Sequence, residues 1–205
     1  DGDYDITVGA CQNVVFFTPT ASDGCGGLVT ITATPPSGST FPVGTTTVTV
    51  LARDACGNET RSAFQVTVLP DPSGAITGAA IACPGGSATL TGPDGYRYLW
   101  STGATSRSIV VSETGTYSLT LTDRTTGCTK TLTHRFTIVS PPVAAISGPD
   151  RFCDGATAKF CGPSGPYRYR WTGPDGFAST TRCIELAAGG TFQLVVTDTL
   201  TGCVS

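Results

Sequence analysis

The sequence predicts an all-β protein made of small β-sandwiches in tandem, and three observations support this. Charged residues are only 13 % of the 205 residues, about half of the ~25 % usual for soluble domains. Short runs of alternating β-branched residues recur every ~8–12 residues, with Gly and Pro between them. Finally, no stretch of about ten residues shows a helical period.

Residues 76–128 and 146–203 are two copies of one segment. The copies align at several marked positions: Ile76 with Ile146, Cys83 with Cys153, Trp100 with Trp171, and Cys128 with Cys203. After Cys128 the first copy continues into a predicted closing strand, whereas only Val204 and Ser205 follow Cys203. The sequence therefore predicts three domains, at 1–70, 71–141 and 142–205, of which the third lacks its final strand.

Proline-containing linkers separate these predicted domains. Pro70-Asp71-Pro72 precedes the first copy, and Pro141-Pro142 precedes the second. Because proline restricts the backbone, both linkers are expected to act as semi-rigid spacers.

The repeated segment has the pattern of an immunoglobulin-type core. Trp100 and Trp171 each lie within a predicted strand, in which alternation places two tyrosines on the tryptophan face. These are Tyr96 and Tyr98 in the first copy, and Tyr167 and Tyr169 in the second. Packing against the core explains the tyrosines, and a sugar-stacking platform is the alternative interpretation.

Residues 36–50, 52–58 and 64–68 (PSGSTFPVGTTTVTV, ARDACGN and FQVTV) closely resemble a hyalin repeat (HYR). The two copies are marked by Cys-x-Gly, Trp, Gly-Thr-Tyr (Gly-Thr-Phe in the second copy) and Thr-Asp-x-x-x-Gly-Cys, and they resemble Ig-like or PKD-like repeats of bacterial secreted and surface proteins. Both resemblances imply an Ig-like β-sandwich used for display, spacing or adhesion. Neither resemblance carries a catalytic motif.

Nine cysteines, one histidine and no C-x-x-C motif favour disulfides in an oxidising compartment over a zinc site. An extracellular or cell-surface location is therefore expected. The chain has no methionine, not even at position 1. This favours a processed or excised piece from which the signal peptide has been removed.

The internal repeat suggests cysteine pairings. Cys83 with Cys128 and Cys153 with Cys203 recur in both copies, so each pair is expected to bond within its own copy. Cys161 and Cys183 occur only in the second copy, where Thr91 and Ser108 stand in the first, and are expected to form a bridge between neighbouring strands. The hyalin resemblance implies a Cys25–Cys56 bridge. Cys11 is left over, either unpaired or bonded to another subunit.

The missing strand of the third segment has two interpretations. One is that the sequence is cut from a longer chain with flanking repeats. The other is that a neighbouring molecule donates a strand, with Tyr4, Asp5, Ile6, Thr7 and Val8 as the candidate donor. Such head-to-tail contacts would not close, and so would generate fibres.

Several aspartates offer oxygen atoms of the kind that calcium prefers. Asp1, Asp3 and Asp5 alternate with Gly2 and Tyr4, and Asp23 and Asp54 flank the two cysteine-bearing loops of the hyalin-like segment. A solvated strand face and ordinary turn capping explain these residues equally well. No other cofactor is expected.

The function predicted from the sequence is structural and adhesive: a disulfide-stapled rod of sandwiches serving as a fibre subunit or a stalk segment. A surface glycan or protein is the expected ligand. The net charge of −3 argues against nucleic acid, and no apolar run approaches the ~20 residues of a membrane span. An enzyme is not expected, because no nucleophile elbow, phosphate loop or metal motif is present. The alternative is an accessory carbohydrate-binding or spacer region of a larger secreted enzyme.

Overall fold

The structure is a computed structural model that describes residues 5–24, 27–153 and 155–205. It is all-β, as the sequence predicts, apart from two short 3-10 helices at Ala10–Gln12 and Pro174–Gly176. The strands before residue 70 are β1 (Ile6–Gly9), β2 (Val14–Val15), β3 (Val29–Thr34), β4 (Ser39–Thr40), β5 (Gly44–Asp54) and β6 (Glu59–Leu69).

The first copy of the repeat and its closing strand contain β7 (Ile81–Ala82), β8 (Ala88–Thr91), β9 (Arg97–Trp100), β10 (Ser108–Val111), β11 (Gly115–Thr122) and β12 (Thr129–Ile138). The second copy contains β13 (Ala158–Cys161), β14 (Tyr167–Thr172), β15 (Ala178–Ser179), β16 (Cys183–Leu186) and β17 (Gln193–Asp198).

The chain divides into two compact units. Unit 1 comprises Asp1–Ile76, Gly92–Arg107 and Ser118–Thr133, and unit 2 comprises Thr77–Thr91, Ser108–Tyr117 and His134–Ser205. Each unit therefore contains part of the middle segment, and the three-domain division at 70 and 141 stays a prediction.

Unit 1 is built on a four-stranded sheet of order β1-β6-β5-β3, beside which β2 pairs with β4. The short β1 runs parallel to β6, with Val8 opposite Val68, whereas the other pairs are antiparallel. Alternation along β5 and β6 turns Val48, Phe64 and Val66 inward, where they pack with Phe17 and Phe41. Unit 1 also contains the pairing of β9 with β11, which sets Trp100 opposite Leu119.

Unit 2 contains two strand pairs from the first copy. β8 pairs with β10 in antiparallel fashion, and β7 runs parallel to the end of β12, with Ala82 opposite Ile138. β1 and β7 thus correspond to each other, since each lies parallel to the last strand of its own segment. We call these two strands the front strands.

The second copy lies wholly in unit 2 and forms a two-stranded sheet, β13-β16, and a three-stranded sheet, β15-β14-β17. Its core consists of Trp171, Ile184 and Leu186, with partly buried Phe160 and Leu194 packed against them. After Cys203 the chain turns back, and Val204 forms an isolated antiparallel bridge with Thr197. Within the described residues no strand like β12 follows.

No helix in the described part of the chain is long and apolar enough to cross a membrane.

The core of the hyalin-like sheet gives a matched test. Phe41 is 1 % exposed and Phe16 is 77 % exposed in the same segment. We expect Phe41→Ala to lower the free energy of unfolding of this sheet by ~3–5 kcal/mol, and Phe16→Ala to change it by no more than about 0.5 kcal/mol. Hydrogen exchange of the β5 and β6 amides measures both changes, and equal losses would show that the sheet packs differently.

Candidate functional site

A tight turn between β11 and β12 presents Cys128. Asp123 Oδ1 accepts hydrogen bonds from the backbone N–H groups of Thr125 and Thr126, both at 2.8 Å. The hydroxyl of Thr126 in turn accepts the Cys128 N–H at 3.2 Å. Gly127 adopts φ +73°, a conformation in which other residues are strained. The sequence Asp-x-x-Thr-Gly-Cys thus fixes the position of the sulfur.

The second copy builds the same turn around Cys203. Asp198 Oδ1 accepts from the N–H groups of Leu200 at 2.7 Å and Thr201 at 3.0 Å. The Thr201 hydroxyl accepts the Cys203 N–H at 3.3 Å. Cys128 and Cys203 are both buried, and we call them the turn cysteines.

Cys128 bonds to Cys11, which lies just after front strand β1 of the hyalin-like segment. The two Cα atoms are 5.7 Å apart, within the normal range for a disulfide. The sulfur of Cys128 lies against Gly9, where any Cβ atom would overlap it. Buried Pro72 and the carboxylate of Asp71 belong to the adjoining linker, and the carboxylate lies within 4.8 Å of both sulfurs.

Cys203 bonds in the same way to Cys83, which follows front strand β7 of the first copy. Their Cα atoms are 5.5 Å apart. The Cys203 sulfur lies 4.0 Å from the carbonyl oxygen of Val139, and Pro142 in the adjoining linker is buried. We call Cys11, Cys83 and their counterpart Cys153 the front cysteines. Both bonds join the front cysteine of one segment to the turn cysteine of the next.

These bonds correct the pairings expected from the repeat, Cys83 with Cys128 and Cys153 with Cys203. The reason is the length of β12, which begins directly after Cys128 and ends opposite Ala82, the neighbour of Cys83. Ten strand residues span roughly 33 Å, whereas disulfide-bonded Cα atoms lie about 4.4–6.8 Å apart. Cys83 therefore lies far from Cys128, the turn cysteine of its own segment, and Cys203, the expected partner of Cys153, is already bonded to Cys83. The expectation that Cys11 is unpaired or intermolecular is also wrong, because Cys11 takes Cys128 as its partner.

Cys161 bonds to Cys183, the pair expected from the sequence, across neighbouring strands β13 and β16. In the first copy the counterparts Thr91 and Ser108 face each other in the same way, with their hydroxyl oxygens 2.9 Å apart. A hydrogen bond and a disulfide thus occupy equivalent positions in the two copies.

Two cysteines that were expected to be bonded carry free, exposed thiols, Cys56 and Cys153. Cys25, the expected partner of Cys56, lies outside the described residues. Cys56 stands in the turn between β5 and β6, where Asp54 accepts from the Asn58 N–H and side-chain amide, both at 2.8 Å.

An open cavity of about 780 Å³ lies beside Cys153. Its apolar lining includes Ile146, Phe152, Phe160, Trp171 and Phe192. The cavity is also lined by Arg151 and Phe152, which are the counterparts of the β7 residues that pair with β12. Ile146 is 45 % exposed, whereas its counterpart in the first copy, Ile76, is 8 % exposed. The cavity therefore lies where a closing strand like β12 would pack.

The candidate donor strand is already paired. Ile6, Thr7 and Val8 lie in β1 against β6 of their own segment, and the Asp5 carboxylate accepts the Gln65 N–H at 2.9 Å. Tyr4 lies outside the described residues. Donation of this segment to another molecule would first require β1 to separate from β6.

The calcium candidates are only partly brought together. Asp23 and Asp54 line one depression of about 900 Å³ in unit 1, but each accepts local hydrogen bonds, Asp23 from the Gly27 N–H at 3.1 Å. Hydrogen bonds from the Asn58 side chain and backbone lower the pKa of Asp54. Asp5 precedes β1 and accepts the Gln65 N–H, and Asp1 and Asp3 lie outside the described residues. The structure therefore supports turn capping for Asp23 and Asp54.

Of the four tyrosines, Tyr169 packs against the core of the second copy, and Tyr98 is held like it by a hydrogen bond. The hydroxyls of Tyr98 and Tyr169 donate to the carbonyls of Pro93 and Pro163 at 2.8 and 2.7 Å. Both tyrosines are half-buried, and Trp100 and Trp171 are each 1 % exposed. Rings held in this way leave little exposed face for a sugar to stack on.

Residues 3–68 match the family model of the HYR domain. Hyalin of Strongylocentrotus purpuratus is 44 % identical over 57 residues, which are 28 % of this chain and 5 % of hyalin. This chain thus spans a small fraction of the length of that relative. The hyalin-repeat resemblance of the first segment is confirmed, and the Ig-like and PKD-like resemblance of the two copies stays a prediction.

Similar solved structures include a Ca²⁺-stabilized adhesin of an Antarctic bacterium that binds ice, with 14 % identity, TM-score 0.41, and coverage of 79 % of this chain and 54 % of that one. A Bacteroides ovatus SGBP-B in complex with a mixed-linkage heptasaccharide has 17 % identity, TM-score 0.23, and coverage of 97 % and 60 %. The human desmocollin-1 ectodomain has 12 % identity, TM-score 0.26, and coverage of 68 % and 37 %. Likenesses at these TM-scores carry no argument about this chain.

The cross-strand disulfide can be exchanged for the pair that the first copy uses. A bridge that closes a loop of 22 residues contributes about 3 kcal/mol, and a hydrogen bond contributes about 1 kcal/mol. We expect Cys161→Thr/Cys183→Ser to destabilise the second copy by about 2 kcal/mol and to leave the β5–β6 sheet unchanged. Segment-resolved hydrogen exchange measures this, and an equal loss in both places would contradict the independence of the two regions.

The Asp123 turn predicts a pH effect. Hydrogen bonds from the backbone N–H groups of Thr126 and Thr125 lower the pKa of Asp123 from its usual 3.8. The turn is therefore stabilised at neutral pH and loses this stabilisation as the pH falls below about 3.8. Between pH 6 and pH 2 we expect the wild type to lose more protection of the Thr125 and Thr126 amides than Asp123→Asn does. Asp175→Asn, at an exposed aspartate, is the control and should behave like the wild type.

Proposed function

We propose that this chain is a non-enzymatic, extracellular structural and adhesive protein that forms a stalk or fibre segment. The observation that carries the proposal is the pair of disulfides that fasten consecutive segments, Cys11–Cys128 and Cys83–Cys203. Each bond bypasses a proline-containing linker. A pulling force that reaches a linker is therefore carried by a covalent bond as well as by the peptide chain.

The composition and the comparisons support the adhesive and extracellular parts of the proposal. Disulfides persist in oxidising environments, and the structure forms three within its described residues. Residues 3–68 match the HYR domain, and resemblance to that family implies display, spacing or adhesion. The partner we propose is a surface glycan or protein, reached by segments that the stalk holds away from its base.

The cavity beside Trp171 supports a second part of the proposal, that the third segment is completed by a β-strand in the position of β12. Backbone of Val204 and Ser205 already begins this path, since the Ser205 N–H donates to the Val196 carbonyl at 3.0 Å. A strand of the same polypeptide therefore fits the cavity more simply than one donated by another molecule. Donation of the candidate strand, residues 4–8, would produce head-to-tail fibres, but β1 would first have to separate from β6.

Force spectroscopy on the full chain, held at its two ends, tests the mechanical proposal. In the reduced chain about 190 residues between Cys11 and Cys203 extend, which is roughly 650 Å at about 3.5 Å per residue. In the oxidised chain the shortest covalent path runs from Cys11 across its disulfide to Cys128, back along the chain to Cys83, and across the second disulfide to Cys203. This path contains only the ~45 residues between Cys83 and Cys128, which span roughly 160 Å when extended. We expect reduction to lengthen the extension about fourfold.

The control is Cys161→Thr/Cys183→Ser, which removes the third disulfide from outside that shortest path. Its oxidised chain should extend as far as the oxidised wild type. Equal extension of oxidised and reduced wild-type chains would overturn the proposal that the disulfides carry load.

A further inference from the structure

The front cysteines occupy one structural position that recurs along the chain. Cys11 follows β1 and Cys83 follows β7, and each of these strands runs parallel to the last strand of its own segment. Each cysteine bonds to the turn cysteine of the next segment, 117 and 120 residues further along. At both front cysteines that are followed by another described segment, Cys11 and Cys83, the cysteine thus bonds to the turn cysteine of that segment.

Cys153 is the third instance of this position. The backbone around it follows the path of the first copy, because Ser147 and Cys161 exchange two backbone hydrogen bonds at 2.8 Å, as Thr77 and Thr91 do at 2.8 and 2.9 Å. Unlike Cys11 and Cys83, Cys153 has a free thiol, and this thiol is exposed. It also borders the open cavity that contains Phe152 and Trp171.

No turn cysteine in the described residues is available to Cys153. Cys128 is bonded to Cys11, and Cys203 is bonded to Cys83. A partner for Cys153 must therefore come from a further turn of the same construction, with an aspartate and a threonine that fix the cysteine as Asp198 and Thr201 fix Cys203.

We propose that Cys153 is the attachment point for a further repeat of this kind, placed after the second copy in the same polypeptide and bonded through its Asp-x-x-Thr-Gly-Cys turn. The commitment to the same polypeptide follows from the two bonds already present, each of which joins a segment to the one that follows it. Completion of the cavity by a closing strand would precede the linker and the attached repeat. This inference rests on the proposed function, since it describes how a stalk is extended.

The bond forms by oxidation of two thiols. Cys153 and the new turn cysteine lose two protons and two electrons, and a disulfide oxidant of the extracellular compartment accepts them and becomes a dithiol. The exchange passes through a mixed disulfide between the oxidant and one of the two cysteines.

The test extends the full chain by a second copy of residues 131–205, joined directly after Ser205, in which the added counterpart of Cys153 is replaced by serine so that only the original Cys153 is mapped. This addition supplies a closing strand, the Pro141-Pro142 linker and one more repeat with its own turn cysteine. After oxidation and alkylation of free thiols, peptide mapping reports the state of each cysteine. We expect alkylation of Cys153 to fall to the level of bonded Cys83, and a peptide joining Cys153 to the added turn cysteine to appear in chains of monomeric mass.

Two controls isolate the bond. With the added turn cysteine replaced by serine, Cys153 should stay alkylated as in the unextended chain, and with Cys153→Ser the added turn cysteine should become alkylated. Formation of the added counterpart of Cys161–Cys183 shows that the new repeat has folded. A second extension, residues 131–141 followed by residues 71–141, repeats the test with the other copy.

The inference is overturned if Cys153 stays alkylated in both extensions, if the added turn cysteine bonds within its own repeat, or if the bond forms only between molecules in species of twice the mass. None of these results would change the extension measured for the oxidised and reduced forms of the unextended chain. The attachment site and the load-bearing proposal can therefore fail separately.

Discussion

Disulfides between the front of one segment and the turn of the next hold this chain together where its segments meet. A sandwich of ~70 residues buries a limited core, so its stability depends strongly on a few added constraints. Loops of 117 and 120 residues are closed by the two bonds, and in the chain-entropy model each closure contributes about 5 kcal/mol. Each disulfide also joins residues on the two sides of a linker. The prolines of the linker restrict its backbone but form no such covalent connection.

The same hydrogen-bonded turn holds the buried sulfur in both disulfides between segments, at Cys128 and at Cys203. Asp123 and Asp198 accept backbone hydrogen bonds in the same way, although the copies differ in length between their tryptophans and their turns. The other end of each bond is an exposed or half-buried residue after a short parallel strand. A turn fixed by hydrogen bonds therefore meets the end of a short strand, and the two turns share four residue types: aspartate, threonine, glycine and cysteine.

Much of the fold could be predicted from the sequence, because alternation, Gly and Pro act locally. The strands containing Trp100 and Trp171 and the Cys161–Cys183 pair follow from such local patterns. The disulfides Cys11–Cys128 and Cys83–Cys203 could not be predicted in this way, since pairing within copies and pairing shifted by one segment fit the repeat equally well. Each pairing leaves one of these cysteines over: the shifted pairing leaves Cys153, and pairing within copies leaves Cys11. The length of β12, which separates Cys83 from Cys128, is the physical reason that excludes pairing within the first copy.

Disulfide mapping of the oxidised native chain tests the central claim most directly. Proteolysis without reduction, followed by mass spectrometry, identifies which peptides remain joined. The account predicts one linked pair that contains Cys11 and Cys128 and another that contains Cys83 and Cys203, with Cys153 alkylated. Peptides that join Cys83 to Cys128 and Cys153 to Cys203 would contradict it, because each segment would then be closed on itself and no covalent bond would cross the linkers.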